Sequence, residues 1–121
     1  LHEYKTESKY LILLFWSADC NHCKEMMEQL YPFSQQSEIK QLMEIIAISL
    51  DETEPEIIAW QNKIKEIPGW KHIRLGEGVR SKAAADYYIL STPVMILIDA
   101  ESKMIRSFPE SVAQVKRQMN R

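Results

Sequence analysis

Phe15-Trp16-Ser17-Ala18-Asp19-Cys20-Asn21-His22-Cys23-Lys24 leads out of an apolar run, passes the chain's two cysteines and enters a helix-forming stretch. A C-x-x-C at a strand-to-helix junction is the arrangement a reversible dithiol/disulfide pair needs. Cys20 falls at the expected helix N-terminus, where unpaired backbone N–H groups and the helix dipole favour a thiolate. Cys23 lies three residues on, on the same helical face. The apolar stripe continuing through Met26, Met27 and Leu30 is expected to bury Cys23 and leave Cys20 as the attacker. A structural zinc site is the competing use of such a pair. It needs two further ligands, and His2 and His72 share no ligand spacing.

Upstream, Tyr10-Leu11-Ile12-Leu13-Leu14-Phe15-Trp16 has no polar alternation, the pattern of a strand covered on both faces. Downstream, the first helix is predicted from Cys20 to about Tyr31, with Pro32 kinking or ending it. Met43–Ser49 is a second short, buried strand. Strand, helix, strand in this order makes a parallel βαβ unit with a right-handed crossover.

Thr53 and Glu56 have capping-box spacing, and Pro55 sits where a missing N–H is harmless. The helix after them carries Ile57, Trp60, Ile64 and Ile67 on one face and is predicted to stop at Pro68-Gly69. Residues 70–75 form a short strand or an extended loop. A helix over 79–87 would face Val79, Ala83 and Tyr87 inward. Ser91-Thr92-Pro93 precedes a buried strand over 94–98, and Asp99-Ala100-Glu101-Ser102 supplies a turn into an edge strand over 103–108. Ser107 and Glu110 suggest a second capping box, ahead of a last helix with Val112, Val115 and Met119 as its apolar stripe. The class is three-layer α/β with a mixed sheet, in one domain spanning 1–121.

At 121 residues the chain can bury a core without staples. Its 45% hydrophobic and 26% charged composition is that of a folded soluble protein. A net charge of −2 leaves no electrostatic footprint for nucleic acid. The longest apolar run, residues 10–16, falls far short of the ~20 residues of a membrane span. The chain opens on Leu1, which is read as the mature part of, or a domain excised from, a longer precursor.

On these features the chain resembles the thioredoxin-like superfamily over nearly its whole length. The likeness rests on Phe15-Trp16 ahead of the C-x-x-C, the βαβ–ββα order and the late Thr92-Pro93. The helical stretch between Glu54 and Tyr87 is similar to the insert of the extracytoplasmic TlpA/ResA branch. Asp19-Cys20-x-His22-Cys23 is similar to thioredoxin domains of Bacteroidetes secreted or lipid-anchored proteins. The fold implied is a central mixed sheet, βαβ–α–ββα, flanked by helices.

The resemblance implies that Cys20 attacks a substrate disulfide and Cys23 resolves the mixed disulfide, with Pro93 cis and the Thr92 backbone ready to pair with substrate. It implies no cofactor beyond the redox-active disulfide Cys20–Cys23, and no metal. Its partners would be protein thiol and disulfide substrates and an upstream thiol donor, with no nucleic acid and a membrane only through an anchor outside this chain. The compartment implied is extracytoplasmic, bacterial periplasm or a periplasm-facing membrane surface. The chain departs from the family in having Asp19 where a tryptophan is usual and Leu14 where thioredoxins carry a buried aspartate. It also lacks the usual glycine before the last helix.

Four side chains are expected to tune the pair. His22 would stabilise the Cys20 thiolate, Asp19 would oppose it unless it caps the helix, and Asn21 lies between them. Glu52 (or Asp51) looks like the acidic residue that the TlpA/ResA branch carries near the end of its second core strand, which makes Glu52 the candidate proton relay, with a solvated acid within Asp51-Glu52-Thr53-Glu54 as the alternative. Trp16, Thr92 and Pro93 are the expected substrate contacts. The function expected is a thiol–disulfide oxidoreductase, an extracytoplasmic reductant. A disulfide oxidase or isomerase with the same site, or a redox-inert binding domain, are the alternatives.

Overall fold

The computed structural model describes residues 7–76, 78, 81–87, 89 and 91–119. In chain order the elements are β1 (Tyr10–Trp16), α1 (Asn21–Ser34), α2 (Ser37–Leu42), β2 (Met43–Ser49) and α3 (Glu54–Ile64). They continue with β3 (Lys71–Arg74), α4 (Lys82–Asp86), β4 (Val94–Asp99), β5 (Ile105–Ser107) and α5 (Val112–Met119). The five strands form one sheet in the order β3-β2-β1-β4-β5. β1 is central, parallel to β2 and antiparallel to β4, with Trp16 opposite Ser49 and Phe15 opposite Val94. All seven residues of β1 are buried, as its unbroken apolar run requires.

Side-chain alternation divides the core in two. Tyr10, Ile12, Leu14 and Trp16 of β1 join Met43, Ile45 and Ala47 of β2 beneath Cys23, Met27 and Leu30 of α1 and Val115 and Met119 of α5. Leu11, Leu13 and Phe15 join Ile46, Ile48 and Leu50 on the opposite face, under Ala84 and Ile89. The parity of a strand residue therefore decides whether it supports α1.

Several local expectations are corrected. α1 continues past Pro32 to Ser34. A proline this close to the C-terminus forfeits one ladder bond, while Phe33 and Ser34 bury themselves in the last turn. α2 was not anticipated, having no buried residue and no side-chain cap. α3 has its capping box, Thr53 with Glu56, but ends at Ile64, and tight turns from Glu66 and Ile67 back to Lys63 and Ile64 carry the chain to Pro68. Residues 71–74 are a strand, at the sheet edge.

The second capping box is displaced by one helical turn. Ser107 is paired with Leu97 in the sheet, and it is Ser111 Oγ that accepts the Gln114 N–H while Gln114 Oε1 accepts from Glu110 N–H. Of the helix expected over 79–87, α4 covers Lys82–Asp86, and Tyr87 lies in the turn after it, half-buried and with its ring 6.0 Å from that of Phe15. Val79 and the Ala83 side chain lie outside the description.

Candidate active site

β1 ends at Trp16, and three residues turn the chain from the sheet into α1. Cys20 is the N-cap residue in extended conformation, and its own sulfur accepts the Cys23 N–H at 3.1 Å. It thus supplies to the helix start the acceptor that serine or aspartate usually provides. Cys20 and Cys23 are joined as a disulfide, their Cα atoms 5.2 Å apart. Cys23 is fully buried under the sheet's α1 face, whereas Cys20 is half-buried and reaches the surface. The sulfurs are inequivalent because one helical turn separates a cap from a core position.

Opposite them, the antiparallel β1–β4 pairing brings the entry of β4 alongside the exit of β1. The Thr92 carbonyl oxygen lies 3.7 Å from Cys20 Sγ, and the Thr92–Pro93 peptide bond is cis. Both residues are half-buried.

On the other side, Asp51 is wholly buried just past the end of β2. The Ala18 N–H donates to both carboxylate oxygens, at 3.0 and 3.2 Å, and Ser49 Oγ donates at 2.6 Å. Asp51 therefore fastens the loop that delivers Cys20. Burial pushes its carboxyl above the ordinary range, opposed by the Ser49 and Ala18 hydrogen bonds and reinforced by the Glu56 and Asp19 carboxylates. Glu56 moves the other way, held down chiefly by the Thr53 and Glu52 N–H groups. Asp19, Asp51 and Glu56 each bring a carboxylate oxygen within 4.8 Å of the others. Asp51 and Glu56 are already engaged by backbone and hydroxyl donors, so they work as loop and cap anchors.

The anticipated residues divide by position. Asp19 is exposed, accepts from Ser17 Oγ at 3.0 Å and leaves the cap to Cys20. Asn21 is exposed at the first helical position. The His22 side chain is 86% exposed, and its Nδ1 is 3.8 Å from Glu25 on the following turn. Glu52 is exposed, with its carboxylate over Gly78, where a Cβ would come within 2.7 Å of it. Asp51 rather than Glu52 is the acid inside the site. Residue parity along β2 carries that signal: positions 45, 47, 49 and 51 alternate onto the α1 face.

Trp16 needs the same correction. It is 0% exposed and so supports the site from beneath, out of reach of any substrate. His72, considered as a zinc ligand, sits on β3 with its Nε2 2.8 Å from the Ile67 carbonyl oxygen.

One surface feature escaped the sequence. An open groove of about 490 Å³ starts at Pro93 and runs between α1 and the β5–α5 connection, past Met26, Phe108 and Glu110.

The thioredoxin-like family model matches residues 7–120. A thiol-disulfide oxidoreductase from Bacteroides fragilis is 24% identical, with a TM-score of 0.76 over 93% of this chain and 80% of its own. The thioredoxin domain of a thiol-disulfide oxidoreductase from Bacteroides vulgatus is 23% identical, with a TM-score of 0.74 over 94% and 79%. A thioredoxin-like protein from Aeropyrum pernix, 14% identical, reaches 0.76 over 95% and 78%. These structures are alike in fold. No curated protein matches the chain.

Proposed function

We propose, since this chain belongs to the thioredoxin-like family, that it is a thiol–disulfide oxidoreductase acting through Cys20 and Cys23. The observation that carries this is the unequal exposure of two bonded cysteines, with the reachable one at a helix N-cap beside the Thr92 carbonyl. In the reduced protein, orphan N–H groups and the positive helix end favour a Cys20 thiolate. That thiolate attacks one sulfur of a substrate disulfide, and the other leaves as a thiolate that takes up a proton. Cys23 then loses its proton and attacks Cys20 Sγ, releasing the substrate as a dithiol. Two electrons have passed to the substrate, and the Cys20–Cys23 disulfide remains for an upstream thiol donor to reduce.

Thr92 and Pro93 flank the mixed disulfide and offer backbone to an extended substrate. Asp51 holds the loop in register, Asp19 and His22 set the charge around the nucleophile, and the neutral Asn21 tunes it from between them. No metal or further cofactor enters the cycle.

We assign the protein to the TlpA/ResA-like branch as an extracytoplasmic, periplasm-facing reductant, with any membrane attachment supplied from outside this chain. The helical stretch between β2 and β4 and the Bacteroides structural relatives support this. Among the described residues no helix is long and apolar enough to cross a membrane.

Cys23→Ser should trap substrate proteins as mixed disulfides on Cys20, and their reproducible absence would instead favour a binding domain. A glutathione-buffer titration fixes direction. A midpoint near thioredoxin's, about −270 mV, is expected for a reductant, and one near the −120 mV or so of DsbA would make it an oxidase.

A further inference from the structure

We infer that the groove beside Pro93 selects an extended protein segment bearing a lysine or arginine near its cysteine, with an apolar side chain alongside; this rests on the exchange chemistry proposed above. The groove begins where that chemistry ends, because Pro93 lines it and the preceding carbonyl lies 3.7 Å from Cys20 Sγ. Its volume, about 490 Å³, accommodates a few side chains. Met26 and Val94 provide apolar lining, and Phe108 borders it while 56% exposed. A large aromatic left uncovered beside an open groove is an anchor for a partner's apolar side chain.

Charge supplies the second requirement. Among the described residues, the ionisable ones in the lining are His22, Glu25 and Glu110, with no lysine or arginine. Among the described lining residues only His22 could carry a positive charge, and it faces Glu25 at 3.8 Å, which leaves the exposed Glu110 carboxylate with no cation facing it among them. Across the nucleophile stand the clustered Asp19, Asp51 and Glu56 carboxylates. Arg106, on neighbouring β5, is drawn aside to Asp99 at 3.9 Å and to the Tyr10 ring. On the Asp51 flank Arg74 donates to the Asp51 carbonyl oxygen at 3.1 Å, and Lys24 and Lys63 line a depression with Ala18 and Glu66. Carboxylates thus face the half-exposed cysteine from its groove side with no lysine or arginine among the described lining residues, while Arg74, Lys24 and Lys63 lie on the far flank. A cationic partner is steered towards it and an anionic one held off. Glutathione, with two carboxylates against one ammonium, meets like charge here.

The test uses one peptide made in two versions, lysine or glutamate beside its cysteine, each as a mixed disulfide with a neutral thiol. Reduction of each by the pre-reduced protein is followed at low and high salt. The lysine peptide should react about tenfold faster at low salt. The ratio should fall towards one near 1 M, where the screening length is about 3 Å. Glu25→Lys combined with Glu110→Lys, both at exposed positions, should reverse the preference. Equal rates at low salt in a protein that reduces both peptides overturn the inference and leave the exchange chemistry standing. A lysine preference that survives the double substitution also overturns it. Failure to reduce either peptide or the neutral 2-hydroxyethyl disulfide overturns the exchange chemistry itself.

Discussion

The two flanks of the cysteine pair are built in opposite ways. On the Asp51 side, a buried carboxylate, a serine hydroxyl and a backbone N–H close on one another within 3.2 Å, and nothing is left open. On the Pro93 side, an aromatic ring and two glutamates stand in solvent around a groove. The first flank fixes where Cys20 sits relative to the sheet. The second leaves its free energy unspent until something docks. Rigidity and recognition thus lie on opposite sides of β1, one after β2 and the other ahead of β4, so substitutions on the two flanks should show up in different measurements.

The widest gap in stability should lie between two aromatic residues. Trp16→Ala, beneath the pair, should lower unfolding free energy by about 3–5 kcal/mol in urea titrations, because it empties a fully buried site. Asp51→Ala comes next. It strands the buried Ala18 N–H, for a loss of about 1–3 kcal/mol, whereas Asp51→Asn keeps an acceptor and should lose much less. Equal losses in the two would show that the Ala18 bond is not what anchors the loop.

The same pair of variants carries a pH signature. The native carboxyl of Asp51 is raised, so the folded state holds that proton more tightly than the unfolded chain does. Its contribution to stability is fullest below the ordinary carboxylate value, near 4, and declines as pH rises through the native value. Asp51→Asn should remove that decline, gaining on the wild type in urea midpoints as pH rises above the ordinary carboxylate value. Glu56, lowered, works oppositely: its contribution is present above the ordinary carboxylate range and lost as pH falls through its native value.

Thr53→Ala should remove the α3 cap at about 1 kcal/mol. Phe108→Ala, on the open flank, should leave the unfolding free energy within about 0.5 kcal/mol of the wild type while slowing exchange with peptide disulfides. A large stability loss there would mean that the ring belongs to the core and that the two flanks are less distinct.

The anchored flank was largely legible in the sequence and the open flank was not, for physical reasons. Buried strands announce themselves because both faces must be apolar, and β1, β2 and β4 stand within a residue of where their runs lie. The C-x-x-C announced itself by its junction. Asp51 and Glu52 look interchangeable as letters. Continuing the alternation of β2 by two residues puts Asp51 beside α1 and Glu52 outside, and the same parity puts Trp16 under the pair. The displaced capping box shows the reverse problem. Ser107/Glu110 and Ser111/Gln114 both satisfy the pattern, and only the pairing of β5 with β4 decides between them. The groove could not be read at all, since it is a space between α1 and a connection more than 80 residues later in the chain.

The register Phe15↔Val94 has a consequence for biogenesis. The halves of the centre are far apart along the polypeptide and adjacent across one ladder. A nascent chain emerging amino end first presents Cys20 and Cys23 to its surroundings well before the strand that flanks them has been translated. Until then neither sulfur has the Thr92 carbonyl or the groove at Pro93 beside it. The βαβ unit already sets the two sulfurs apart, and the surface that presents them to a partner comes into being only when β4 pairs with β1.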